Sequence, residues 1–120
     1  NADDPTDSGI EVEVKLPGKD LRSLNLLSGG ERSLTAVALL FAFLMVKPAP
    51  MCILDEADAS LDEANVSRFV GELKKLSEKT QFLVVTHNRH TIEATDAIYG
   101  VSMGRDGVSK TLSMRLSANL

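Results

Sequence analysis

The 120-residue chain has no tryptophan, one tyrosine and one cysteine. A lone cysteine excludes an internal disulfide, so a reducing compartment, the cytoplasm, is the expected setting. That residue, Cys52, stands in an apolar run, where a small buried hydrophobe is its ordinary role. Basic charge is not in excess. The formal net charge of −4 argues against a domain built around a nucleic-acid-binding stripe. Residues 1–60 hold ten acidic and five basic side chains, and residues 61–120 hold seven and eight. That asymmetry is too small to define a partner. No apolar run reaches the roughly 20 residues that cross a bilayer. The longest, Leu34 to Val46, is expected to be a buried helix, and no membrane association is expected. The polar opening "NADDPTDSG" has no signal-peptide pattern. It also lacks an initiator methionine and reads as loop, as a segment of a longer chain would. Internal repeats and low-complexity segments are absent, and the length allows one domain at most.

What is present alternates between strand and helix. "IEVEVKL", Ile10 to Leu16, changes apolar for charged with period two, the mark of a half-exposed strand. Pro17-Gly18 ends it in a turn. A helix follows from Ser28 to Val46, apolar on nearly every side, which demands cover from two directions. Lys47-Pro48-Ala49-Pro50 stops it. "MCIL", Met51 to Leu54, is too short for a helix and apolar on both faces, so a central strand of a mostly parallel sheet is expected. An amphipathic helix is expected from Asp62 to Lys79, with Val66, Phe69, Val70, Leu73 and Leu76 on one face. Its acids lie at the positive end and its lysines toward the negative end. "QFLVV", Gln81 to Val85, reads as a second buried strand. A short helix from His90 to Thr95 and two strands, Ala97 to Met103 and Val108 to Leu116, complete the chain. The turn "GRDG" makes the last two a β-hairpin near the C-terminus. The fold class is α/β.

Four places carry candidate chemistry. An apolar strand ends in Asp55-Glu56, and in open α/β sheets ligands bind beyond the carboxyl ends of the strands. One acid there can hold magnesium, directly or through water, while its neighbour deprotonates an attacking water. Both can also simply end a strand at solvent. His87 follows the next strand and can open onto the same edge, where a neutral imidazole can meet a terminal phosphate. An incidental surface position is the alternative, and His90 is assigned to the surface. Asp62 and Ser60 can each cap the second long helix. Ser28-Gly29-Gly30-Glu31 has the form of a capping box. Two glycines are costly in a helix, so an anion held at the amide-rich helix start is the competing reading.

The ordered set "LLSGGE", "CILDEAD", "SLD" and "VVTH" resembles the signature motif, Walker B motif, D-loop and switch-histidine loop of ABC-type ATPases. "LLSGGERSLTAVALLF", "DEADASLDEANV", "THNRHTIEATDAIYGV" and "GVSK" narrow the match. The chain resembles the C-terminal half of the head domain of an SMC (structural maintenance of chromosomes) protein of the bacterial kind, from Gly9 to Leu116. No G-x-x-x-x-G-K-[ST] sequence and no coiled-coil heptads occur in it.

The resemblance implies the C-terminal lobe of an ABC-type P-loop ATPase head, mostly parallel sheet flanked by helices. It implies ATP and Mg2+ as ligands. Asp55 would hold the magnesium through water, Glu56 would be the catalytic base, and His87 would contact the γ-phosphate. Asp62 would belong to the D-loop between two heads. Ser28, Gly29, Gly30 and Glu31 would meet ATP bound on the opposing head. The implied partners are the N-terminal half of the same head, a second head, a kleisin subunit docking near Leu112 to Leu116, and DNA through the complete complex. Lys15, Lys19 and Arg22 are candidates for the DNA surface. Chromosome condensation and segregation in a cytoplasmic, nucleoid-associated complex is the implied function. Without Walker A the chain alone is expected to be inactive. A DNA-repair relative with a coiled coil, or a kleisin-docking module without chemistry, are the alternatives.

Overall fold

The structure, a computed structural model, describes residues 9–116. Its first strands, β1 (Glu13–Val14) and β2 (Arg22–Ser23), form a short antiparallel pair. Only two residues of the expected Ile10 to Leu16 strand are paired, because β2 offers only two partners. The Pro17-Gly18 turn is confirmed. Gly18 takes φ 74° and the Lys19 amide donates to the Leu16 carbonyl at 3.0 Å, as a proline-glycine type II turn requires.

A single helical 3-10 turn, Leu24–Leu26, leads to α1 (Gly29–Val46). Its start is a complete capping box. The Glu31 amide donates to Ser28 Oγ at 3.3 Å, and the Ser28 amide donates to the Glu31 carboxylate at 3.1 Å. β3 (Met51–Asp55) then leads through α2 (Glu63–Leu76) to β4 (Gln81–Val85). β3 and β4 pair in parallel, Met51 opposite Gln81 through Asp55 opposite Val85. α2 stops at Leu76, short of Lys79, where the Ser77 amide closes on the Leu73 carbonyl at 2.9 Å. α3 (Arg89–Glu93) begins one residue before the expected His90, because Asn88 caps it through its side chain. β5 (Ala97–Met103) and β6 (Ser109–Arg115) form the expected antiparallel hairpin in full register. Gly107, at φ 74°, supplies the left-handed residue of the turn.

The core lies between α1, α2 and one face of the parallel pair. Phe41, Leu44, Leu54 and Phe69 are its buried centre, with Leu73, Phe82 and Val84 packed around them. The Phe41 and Phe69 rings stack 5.6 Å apart at 18°, within the offset-stacking range. Three expectations need correction. The sheet is not mostly parallel: the described strands form three two-stranded sheets, of which only β3–β4 is parallel. Short connections allow only antiparallel partners at both ends of the chain. Cys52 is half-buried: it faces the core beside Leu54 but sits at its margin rather than in its buried centre. The helix Leu34 to Val46 is buried only at Phe41 and Leu44, while Phe43, Met45 and Val46 are exposed.

These faces remain open because the sequence is apolar on more sides than the described elements can cover. Ile53 of β3 and Leu83 of β4 are 63% and 50% exposed on the face opposite the core. The radius of gyration, 18.1 Å, exceeds the roughly 14 Å of a closed domain of this length. By length and composition alone α1 is long and apolar enough to cross a membrane. Its charged, capped first turn and its packing on α2 are those of a domain helix.

The stacked ring at the centre of the core sets the first expectation. Phe69→Ala should destabilise the chain by about 3–5 kcal/mol, read as a lower urea midpoint at unchanged slope.

Candidate functional site

The parallel register brings two chain segments out of the sheet at one level. Asp55 lies opposite Val85, so Glu56 and His87 emerge beside each other past the carboxyl edge. Glu56 Oε1 and His87 Nδ1 are 3.5 Å apart, and both side chains are exposed. At that separation the two groups are close neighbours without a hydrogen bond between them. Glu56 is also the sole non-glycine among the described residues at positive φ, 47°. Such a conformation costs about 1–3 kcal/mol and is held only where its surroundings require it. Here the Glu56 amide donates to the Val85 carbonyl at 2.8 Å, and the Ala59 amide donates to the Glu56 carbonyl at 3.1 Å. The loop therefore turns sharply at the residue whose carboxylate faces His87.

Asp55 ends β3 with an exposed carboxylate. No three His, Cys, Asp or Glu side chains gather into a metal cage among the described residues. A single carboxylate still fits Mg2+, which keeps several waters and takes its other ligands from substrate phosphates. The residues present fit that ion and no all-protein site.

The start of α1 meets the loop after Glu56. Ser60 Oγ donates to Ser33 Oγ at 2.8 Å. A Cβ placed on Gly30 would stand 3.2 Å from the Ser60 carbonyl oxygen, whereas one on Gly29 would meet nothing within 4 Å. The two glycines thus differ: Gly30 admits a neighbouring loop, and Gly29 leaves open space at the helix start. A cleft of about 250 Å³ runs between the helix start and the loop, bordered by Ser28, Gly30, Glu31, Ser60 and Asp62. A second cleft of about 270 Å³ is bordered by Ser33, Val37, Glu56 and Ser60. Ser60 is the wall between the two. Asp62 is the N-cap of α2, accepting from the Asn65 amide at 2.8 Å. Ser60 makes no cap.

Glu31 carries one more contact. Lys19 pairs with it, whereas the exposed Lys15 and Arg22 form no ion pair among the described residues. The Lys19 ammonium and the Ser28 amide hold the Glu31 carboxyl below the ordinary glutamate value. Arg32 reaches back to the Asn25 and Leu27 carbonyls at 3.2 and 3.4 Å, fastening the segment ahead of the helix. His90 is a surface residue, 3.5 Å from Glu63.

One site residue is invisible in the sequence. Asp58 is 2% exposed, and its Oδ2 accepts from Thr86 Oγ1 at 2.7 Å and from the buried Thr91 hydroxyl. An acid two residues past the Asp55-Glu56 pair gives no signal of burial, because its donors lie about thirty residues away and bear no charge.

Comparison with known proteins places the chain in a family. The RecF/RecN/SMC N terminal domain matches residues 7–110. The chain belongs to that family, as part of an SMC ATPase head. It is 57% identical over 116 residues to the chromosome partition protein Smc of Bacillus subtilis, covering 94% of this chain and 10% of that protein. An uncharacterised Rhodospirillum rubrum protein is 52% identical, covering 96% of this chain and 68% of its own length. A solved Smc head bound to the C-winged helix domain of ScpA superposes with TM-score 0.85 at 46% identity, covering 97% of this chain and 36% of that one. A structure from work on ATP-driven dimerisation and DNA-stimulated activation of SMC ATPases gives TM-score 0.80 at 45% identity, over 93% and 69%. The chain spans about a tenth of the length of the Smc relatives it matches.

The difference between the glycines is measurable as stability. Gly29→Ala should raise it by about 0.5–1 kcal/mol through lost unfolded-state freedom. Gly30→Ala should be the less stable variant, since the Ser60 carbonyl must give way, and urea midpoints compare the two. The pH dependence has a definite sign. A carboxyl whose pKa is lowered by folding contributes stability above its unfolded pKa, lost as pH falls through the depressed folded value. Thermal unfolding below the ordinary glutamate range should therefore lose less stability for Glu31→Gln than for the unaltered chain.

Proposed function

We propose that the chain is the C-terminal half of an SMC ATPase head, carrying signature motif, Walker B, D-loop and switch histidine. The order of those motifs, without a Walker A sequence, supports this placement. So do the bare apolar faces of α1 and the parallel pair, which an N-terminal half of the same head would cover. The observation that carries the reading is the pairing of Glu56 with His87 beyond the parallel strands.

In this reading Glu56 is the general base. Its carboxylate projects past the sheet edge, where it can orient a water and take its proton. His87 meets the γ-phosphate beside it. Asp55 holds Mg2+ through water, and the ion neutralises phosphate charge. Ser28, Gly29, Gly30 and Glu31 present an ordered helix start, with Gly29 leaving a phosphate room to approach the amides. That phosphate belongs to ATP on the opposing head, and Asp62 lies in the D-loop between the heads. Bound ATP holds two heads together and hydrolysis releases them, because the γ-phosphate supplies the differential affinity. The similar structures describe ATP-driven dimerisation and a bound ScpA domain, which supports a second head and a kleisin as partners. The exposed segment Leu112 to Leu116 is the kleisin contact in this reading, and Lys15 and Arg22 contribute to a DNA surface of the whole complex. Its task is chromosome organisation and segregation in the nucleoid. Retention of the Glu56–His87 pair counts against a docking module without chemistry. The Smc relatives count against a DNA-repair relative.

Mixing the chain with the complementary N-terminal head fragment and magnesium-ATP tests this. The chain alone should show no turnover. The mixture should hydrolyse ATP and form ATP-dependent dimers. Glu56→Gln should trap those dimers and slow hydrolysis by about 10²–10⁴-fold, while Ser28→Arg should abolish dimerisation. Unchanged hydrolysis with Glu56→Gln would remove Glu56 as the base.

A further inference from the structure

We propose that Asp58 is a positioning residue that sets the His87 loop against Glu56. Its carboxylate is buried, and no cation pairs with it among the described residues. A buried polar group costs free energy unless it is hydrogen-bonded, and an apolar side chain could fill the same volume without that demand. What the carboxylate does instead is collect two hydroxyls from one distant segment. Thr86 Oγ1 donates to Oδ2 at 2.7 Å and Thr91 donates to the same oxygen. Thr86 Oγ1 in turn accepts from the Asn88 amide at 2.9 Å. The chain on both sides of His87 is thereby tied to the loop that begins at Glu56, while the Glu56 amide holds Val85 from the other side. His87 itself has no buried anchor. Its side chain is 75% exposed, so its separation from Glu56 is fixed through the backbone on either side. Asp58 acts on His87 through Thr86, and Thr91 anchors the carboxylate from α3.

The proposal rests on the ATPase reading, and the experiment separates the two. Thr86→Val, Thr86→Ser, Thr91→Val, His87→Ala and Thr86→Val/His87→Ala would be made in the full-length protein that carries this chain, with Glu56→Gln as control. ATP turnover and thermal unfolding would be measured for each. Thr86→Val should lower kcat by roughly ten- to a hundredfold with KM for ATP changed less than about twofold. Thr86→Ser, which keeps the hydroxyl, should restore turnover. Thr91→Val should cost a similar shift in melting temperature yet lower kcat by less than about threefold. The double variant should be no slower than His87→Ala alone, since both changes act through the same imidazole. Equal kcat losses for Thr86→Val and Thr91→Val, or losses that multiply in the double variant, would reduce Asp58 to a fold-stabilising residue. In those cases the ATPase reading survives, provided Glu56→Gln blocks turnover. If Glu56→Gln leaves turnover intact, the reading and the proposal fall together.

Discussion

The parallel pairing of β3 with β4 is the constraint on which the rest of the arrangement depends. With Asp55 level with Val85, the two strands end together, and the residues beyond each are delivered to one edge. A shift of one residue would turn every side chain of a strand to the other face. Leu54 would then leave the core and Asp55 would enter it. The pairing and the core therefore enforce each other: Cys52 and Leu54 can pack on α1 and α2 only in the register that sends Asp55 outward. The strain at Glu56 has its origin in the same geometry. Its amide is taken by Val85 while its carbonyl begins the next turn, so the backbone must bend sharply just beyond the pairing.

The loop from Glu56 to Asp62 is where the fold concentrates its polar contacts. Asp58 binds Thr86 and Thr91, Ser60 binds Ser33, and Asp62 caps α2. Three successive acceptors or donors thus reach three different parts of the chain. All three sit on one short loop, so that stretch joins the β4–α3 turn, α3, α1 and α2. The capping box at Ser28 adds a fourth point, since Gly30 lies against the Ser60 carbonyl.

Legibility in the sequence tracks how local each cause is. The capping box, the Pro-Gly turn, the hairpin and the amphipathic face of α2 depend on neighbours within a few residues, and each is readable. The apolar runs at Met51 and Gln81 mark strands but not how many partners they find, so sequence alone overstates the sheet. Both runs are apolar on two faces, as a central strand is, and only one face is covered by the described elements. Asp55, Glu56 and His87 can be placed because strand ends are visible from sequence. Their meeting can be expected from the parallel order. The burial of Asp58 cannot, since it depends on the hydroxyls of Thr86 in the β4–α3 turn and Thr91 in α3. Lys19 reads as a candidate for the DNA surface for the same reason: its partner Glu31 lies twelve residues away.

The glycine pair in Ser28-Gly29-Gly30-Glu31 shows how one short motif answers two demands. A helix start needs its free amides satisfied, and the box supplies that with Ser28 and Glu31. The helix start closes on the Ser60 loop most tightly at Gly30, where a Cβ would stand 3.2 Å from the Ser60 carbonyl oxygen. Gly29 meets neither demand. It caps nothing, has no crowding neighbour, and sits in ordinary helical backbone where alanine would be the better choice. The open space beside it lies over the amides at the positive end of an 18-residue helix, which is the room the proposed anion would use. The anion reading of the motif therefore rests on Gly29 alone, and the packing reading on Gly30.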